Sequence, residues 1–267
     1  MAVELELLWD FNRPEVSEQR FKAALQRASG DNALILRTQI ARTYGLRRDF
    51  MAARNVLKAI ESQIRTAGAE ARTRYLLELG RTYASASHDP AQLTPEARAH
   101  ARSAFQTALQ TARTAGFDAL AIDAIHMFAF LDTSPGDQLK WGQEALGLIQ
   151  SSSQADAKRW EASVRNNIGY AFHQLGRYAE ALDQFRQAVR LRERGTNPEA
   201  TRIAYWMVAW TLRALGRNDE ALEIQLRLER EAEAAGKPDT HVFAELAALY
   251  QAMGDPERAG HYLQLRK

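Results

Sequence analysis

Residues 166–190, NNIGYAFHQLGRYAEALDQFRQAVR, return in altered form as residues 204–228, AYWMVAWTLRALGRNDEALEIQLRL. Gly216 and Ala221 stand where the first copy has Gly176 and Ala181, and Leu212 stands for Phe172. A third copy runs from Phe243 to Leu263 with Tyr250, Gly254 and Ala259 in register. Each copy reads as two amphipathic helices joined by a glycine turn. Such a unit buries its apolar faces only against its neighbours, so the expected architecture is an open stack with a long concave surface. A surface of that kind points to binding and does not name the partner.

The pattern resembles the tetratricopeptide repeat, and residues 162–195 carry most of its signature. With Ala162 as position 1, Ile168 and Gly169 fill positions 7 and 8, Phe172 fills 11 and Gly176 fills 15. Ala181, Phe185 and Ala188 fill positions 20, 24 and 27, while Arg165 at position 4 and Glu193 at position 32 depart from the family pattern. The resemblance implies an all-α fold, a right-handed superhelical solenoid of antiparallel helix pairs. About six units are expected in one domain spanning 1–267, clearest at 162–195, 202–235 and 240–267 and divergent at 34–66, 73–115 and 119–151. The unit from Leu34 lacks the turn glycine and has Arg48 there, and the unit from Thr73 carries an insertion at His88–Pro95. The NNIG and RERG phrases are similar to the longer repeats of kinesin light chains and of bacterial peptide-sensing tetratricopeptide proteins.

These residue types have physical reasons of their own. Gly or Ala at position 8 and Ala at position 20 suit the closest crossing of two helices, where a larger side chain overpacks by roughly 1–3 kcal/mol. Aromatics fill the space between neighbouring repeats. Gly176, Gly216 and Gly254 each follow a first helix, where a left-handed cap costs glycine nothing. Thr94-Pro95, Ser134-Pro135, Asn197-Pro198 and Asp255-Pro256 each place a capping residue before a proline at a helix start. Helices are therefore predicted at 15–28, 33–46, 50–66, 69–86, 95–115, 118–132, 135–151, 156–175, 178–194, 199–215, 218–235, 239–253 and 256–265, with no competing strand signal.

Composition narrows the function classes. Hydrophobic residues make up 46% of 267, enough for a large core, but no apolar run approaches the ~18 residues of a membrane span. The start, MAVELELLWDF, lacks the basic segment and cleavage site of a secretory signal, so a cytoplasmic location is expected. The absence of cysteine removes disulfides, thiolate catalysis and sulfur metal sites. A net charge of +2, with basic residues scattered among acids, gives no nucleic-acid footprint.

No phosphate-binding, dinucleotide-binding, zinc-protease or nucleophile-elbow motif occurs. Neither catalytic residues, a metal site nor a cofactor is expected, and the chain reads as non-enzymatic. Asp123 and His126 form an i,i+3 pair that either orients an imidazole or belongs to a helix interface; a metal would need further ligands there.

In tetratricopeptide repeats, positions 2, 5, 6, 9 and 12 of each first helix line the groove. Carried over, these are Ser163, Asn166, Asn167, Tyr170 and His173 in one unit and Ile203, Trp206, Met207, Trp210 and Arg213 in the next. Earlier units add Arg42 and, with Arg74, Arg81; the last adds His241, Glu245 and Gln251. Asn amides suit the backbone of an extended peptide, and two Trp at i,i+4 suit binding anchors. Alternatively, Trp206 and Trp210 pack on the neighbouring second helix, and Asn166 and Asn167 cap or bridge helices. The carboxylate clamp of tetratricopeptide co-chaperones is not expected. Asn167 matches it, but Asp123, Met127, Ile203 and Met207 occupy its other positions.

The expected role is a scaffold or adaptor that binds a protein or peptide segment, with no nucleic-acid or membrane partner. Two alternatives stay open: a small-molecule or signal-peptide sensor with a closed pocket near Asp123, His126 and His173, and a structural homo-oligomer. Leu5, Leu7, Leu8, Trp9 and Phe11 at one end, and Tyr262 and Leu263 at the other, either fold back on their own repeats or pair a homodimer through a terminal repeat.

Overall fold

Prolines and glycines set the helix ends as expected. The computed structural model describes residues 3–266, so Met1, Ala2 and Lys267 of the expected repeat domain lie outside the described residues. Thr94, Asn197 and Asp255 accept hydrogen bonds from the backbone N–H groups of Ala97, Ala200 and Arg258 at 3.2, 3.1 and 3.0 Å. Ser134 accepts from the N–H of Asp137 at 3.1 Å. Each side-chain oxygen satisfies a backbone donor that the first helical turn leaves unpaired, a cap that contributes about 1 kcal/mol. At the other ends, Gly176 and Gly216 both adopt φ +73° and Gly254 φ +79°. All described residues are helix, turn or irregular chain, with no strand among them.

Two compact units divide the chain. The first runs to Thr133 and includes Gly147–Lys158; the second includes Ser134–Leu146 and runs on from Arg159. In the first unit, a 3-10 turn at Leu5–Leu8 precedes α1 (Pro14–Leu25), α2 (Gly30–Leu46), α3 (Phe50–Lys58), α4 (Glu61–Ile64) and α5 (Ala69–Arg81). A second 3-10 turn at Pro90–Gln92 then leads to α6 (Pro95–Ala115) and α7 (Asp118–Phe128). Helix α8 (Pro135–Ser151) contributes to both units, and the short α9 (Ala155–Lys158) belongs to the first. The second unit continues with α10 (Glu161–Gln174), α11 (Tyr178–Arg192), α12 (Pro198–Ala214), α13 (Asn218–Ala234), α14 (Thr240–Ala252) and α15 (Pro256–Leu265).

The expected helices over 50–66 and 156–175 are each broken once. At the first break Ile60 takes φ −112° and ψ 0°. Its N–H tightens onto the Leu57 carbonyl three residues back, and its own carbonyl starts the next turn by accepting from Gln63 and Ile64. The helix is pinched there rather than ended, and the buried Ile60 side chain stays in the core.

Consecutive helices pack pairwise: α2 on α3, α5 on α6, α10 on α11, α12 on α13 and α14 on α15. The small-residue positions explain how closely. A Cβ added to Gly169 of α10 would lie 2.7 Å from the ring of Phe185 on α11. Phe105 on α6 approaches Gly80 of α5 in the same way. The family's small residue at position 8 and aromatic at position 24 are thus two halves of one contact.

The position 24 residue of the next unit breaks this scheme. Gln225 is fully buried on α13, where the previous unit has Phe185, and among the described residues neither its amide nitrogen nor its amide oxygen has a hydrogen-bond partner. A second departure lies in the turn after α2. Arg48, standing where other units have glycine, is the one non-glycine residue with positive φ, at 65°, among the described residues.

The terminal apolar clusters mostly fold back. Leu5, Leu8 and Trp9 pack against Phe21, Leu36 and Ile40, whereas Leu7 and Phe11 stay exposed. Tyr262 is buried, stacked 5.7 Å from Tyr250, with its hydroxyl donating to Glu229 at 3.1 Å; Leu263 is exposed.

Candidate functional site

Three consecutive first helices of the second unit, α10, α12 and α14, carry a continuous row of aromatic side chains. Helical spacing puts Tyr170 and His173 on one face of α10 and Trp206, Trp210 and Arg213 on one face of α12. Tyr170 lies 6.0 Å from Trp210, and Trp210 lies 5.8 Å from Trp206, each pair within 22° of parallel. His173 lies flat on Trp210 at 3.3 Å. The row ends at His241, whose ring is edge-on to Trp206 at 6.4 Å and whose carbonyl accepts the Trp206 indole N–H at 3.3 Å.

Neither expectation for the tryptophans holds alone. Trp206 packs against the cluster of Leu228, Val242, Phe243 and Leu246, yet it and Trp210 remain half-buried, and Tyr170 is 42% exposed. Each ring is held by its stacked neighbour and still partly exposed, which suits a rigid anchor. Asn166 and Asn167 are half-buried on the same α10.

Arg213 closes the row. Its Nε and Nη2 donate to the two carboxylate oxygens of Glu245 on α14, both at 2.8 Å, so the guanidinium is held in a planar fork. That hydrogen bond raises the pKa of Arg213 further. The cation in turn acts on His173. Burial, helped by the Arg213 charge, pushes the imidazole down to about 4, and its Nε2 is buried without a hydrogen-bond partner among the described residues. At neutral pH the row therefore presents a neutral imidazole. The Ser163 hydroxyl, also expected in the groove, accepts from Arg192 at 2.6 Å.

In the first unit, the corresponding helices α2, α5 and α7 carry charges instead. Arg42 donates to Glu78 at 3.1 Å, and Arg81 donates to the same carboxylate at 2.6 Å and also to Asp123. Arg42 additionally lies 6.0 Å from the ring of Trp9 and 5.9 Å from that of Phe11. Burial alone would raise the Asp123 carboxyl, but the charges of Arg81 and Arg42 outweigh it and hold its pKa below the usual carboxylate range. His126 is pushed down, chiefly by burial, and meets Phe130 edge-on at 5.3 Å. Asp123 is thus engaged by Arg81, and Arg42 and Arg81 are joined through Glu78. Among the described residues no group of three or more His, Asp or Glu is arranged to hold a metal. No described helix is long and apolar enough to cross a membrane.

A family model described as tetratricopeptide repeat matches residues 160–230, the segment that holds α10 to α12 and most of α13, with Tyr170, His173, Trp206 and Trp210. Residues 160–230 are tetratricopeptide repeats. No curated protein sequence matches the chain. Among solved structures, it is similar to a signal transduction ATPase with numerous domains carrying a tetratricopeptide repeat sensor, from Pyrococcus horikoshii. The TM-score is 0.71 at 14% identity, covering 95% of this chain and 39% of that one. Pseudomonas aeruginosa pilF gives a TM-score of 0.60 at 16% identity, covering 88% and 91%. A Rap protein complexed with competence and sporulation factor gives 0.56 at 15%, covering 93% and 67%. The chain spans about two fifths of the length of the Pyrococcus protein. At these identities the likeness is one of fold: an all-α, tetratricopeptide-like stack of helix pairs.

Sequence reasoning placed the row's residues on the correct helices. It missed the His173 stack and the Arg213–Glu245 fork, which depend on how far α10, α12 and α14 are offset along one another. The signal for the fork was available in part, because a half-buried arginine needs a partner and Glu245 lay on the next first helix.

Proposed function

We propose that this chain is a non-enzymatic scaffold of the cytoplasm, one repeat domain that binds an extended peptide or protein segment along α10, α12 and α14. Tyr170, Trp206 and Trp210 serve as anchors, His173 fixes Trp210 by stacking on it, and Asn166 and Asn167 on α10 and Arg213 on α12 accompany them. Arg42 and Arg81 are assigned to holding α2, α5 and α7 together through Glu78 and Asp123.

One observation carries this reading: three stacked, half-exposed aromatic rings lie in one row, and the nearby Arg213 charge is already paired with Glu245. Leaving such rings in water is unfavourable, and rigid aromatic side chains lose little entropy when a partner covers them. The Rap protein complexed with competence and sporulation factor shares the fold and gives the reading an analogy.

The test is selection of binders from a random peptide display library, followed by amide hydrogen exchange with the selected peptide bound. The reading expects slowed exchange concentrated in α10, α12 and α14. Protection confined to other helices would overturn it.

A further inference from the structure

Helix α12 has a second working face. Turned away from Trp206, Trp210 and Arg213, its residues Val208 and Leu212 form the floor of a cavity of about 440 Å³ whose walls are α11 and α13. Val189 and Ile224 complete an apolar base. A volume of this size is in the range of small-molecule sites.

The rim is basic and under-used. Arg186 and Arg190 come from α11, and Arg227 and Arg230 from α13. Arg190 and Arg230 hold the same place in successive repeats, as Gly176 and Gly216 do, so the stacking of repeats itself brings them to one mouth. Neither makes a hydrogen bond or ion pair with the described residues. Arg227 lies 4.0 Å over the ring of Tyr205, and its Nε and Nη2 are buried with no hydrogen-bond acceptor among the described residues. The nearest carboxylate, Glu231, is 3.7 Å from Nε, too far for a hydrogen bond. Of the two acids in the lining, Glu220 is already held by Arg217 through bonds of 2.6 and 2.7 Å. Within the lining that leaves Glu223 as the one acid not hydrogen-bonded to an arginine, while Glu231 and Glu229 outside it act on Arg227 and Arg230 by charge alone. Buried guanidinium N–H donors without acceptors are costly, and an anion at the mouth would satisfy them.

We propose that this cleft binds a small organic anion, an apolar body resting on Val189, Val208, Leu212 and Ile224 with a carboxylate or phosphate head between Arg190, Arg227 and Arg230. The aromatic row and this cleft use different faces of α12, so the two sites are separable by mutation.

The probe is 8-anilinonaphthalene-1-sulfonate, an aromatic body with an anionic head, titrated into the full chain by fluorescence and displaced with decyl phosphate, decanoate or decanol. Saturable binding is expected, displaced by the two anions and not by the alcohol, with the better competitor naming the head group. Arg190→Gln with Arg230→Gln should weaken binding by about tenfold or more. Glu223→Gln, with an unchanged melting temperature to exclude the dye binding that partial unfolding itself produces, should tighten it, while Trp206→Ala with Trp210→Ala should leave it unchanged. Absence of saturable binding, equal displacement by decanol, or unchanged affinity in the double arginine variant would overturn the proposal.

Discussion

His173 lies on Trp210 with ring centroids 3.3 Å apart and planes 14° from parallel, joining α10 to α12. The contact half-buries the imidazole and leaves its Nε2 without a hydrogen-bond partner among the described residues, so protonation is opposed by burial and by the nearby Arg213. The folded protein then binds fewer protons here than the unfolded chain between the ordinary histidine pKa and about 4. Stability from this contact is fully present above the unfolded pKa and is lost as pH falls through that window. NMR titration of the His173 ring should give a midpoint near 4, and His173→Gln should flatten the fall in melting temperature over the same window.

Gly169 and Phe185 show why the repeat pairs small with large. A methyl group at Gly169 would sit 2.7 Å from the buried Phe185 ring, so Gly169→Ala should cost roughly 1–3 kcal/mol in denaturant unfolding. Adding Phe185→Leu should recover part of that loss, because the shorter side chain gives the methyl room. Additive losses in the double variant would show that the two residues do not meet.

Arg48 holds φ 65° in the turn where the repeats of the second unit have Gly176, Gly216 and Gly254. A left-handed residue with a Cβ costs roughly 1–2 kcal/mol, and the exposed ion pair of Arg48 with Asp89 at 3.4 Å returns little of it. Arg48→Gly should therefore stabilise the protein by about 1 kcal/mol, less the backbone entropy that glycine adds to the unfolded chain. Chemical denaturation measures the shift directly.

Gln225 is fully buried, and neither amide atom is paired among the described residues, so no side chain or backbone group there offsets its desolvation. Gln225→Met, close in volume and apolar, should raise stability by about 1–3 kcal/mol in thermal unfolding. A loss instead would indicate that the amide is satisfied by solvent inside the repeat.

Helix pairs were legible because their signals are local. Gly176, Gly216 and Gly254 mark left-handed caps, four proline-preceding caps mark starts, and small residues such as Gly169 mark close crossings. What stayed hidden depends on distance along the chain. The break at Ile60 is a tightening within one helix that leaves the apolar pattern intact. The charge row of Arg42, Glu78, Arg81 and Asp123 and the aromatic row of Tyr170, Trp210 and Trp206 both depend on the lateral offset of first helices, which no single repeat encodes. The basic cleft escaped notice because arginines on a second helix read as a solvated face; the recurrence of Arg190 as Arg230 was its one sequence signal.

The most direct test of the binding account is the dissociation constant of a display-selected peptide for the wild-type chain and for Trp206→Ala with Trp210→Ala, each checked by circular dichroism to be folded. The account predicts a loss of about thirtyfold or more, corresponding to ~2–4 kcal/mol for two anchors. Unchanged affinity in the folded double variant would contradict it and assign both tryptophans to packing alone.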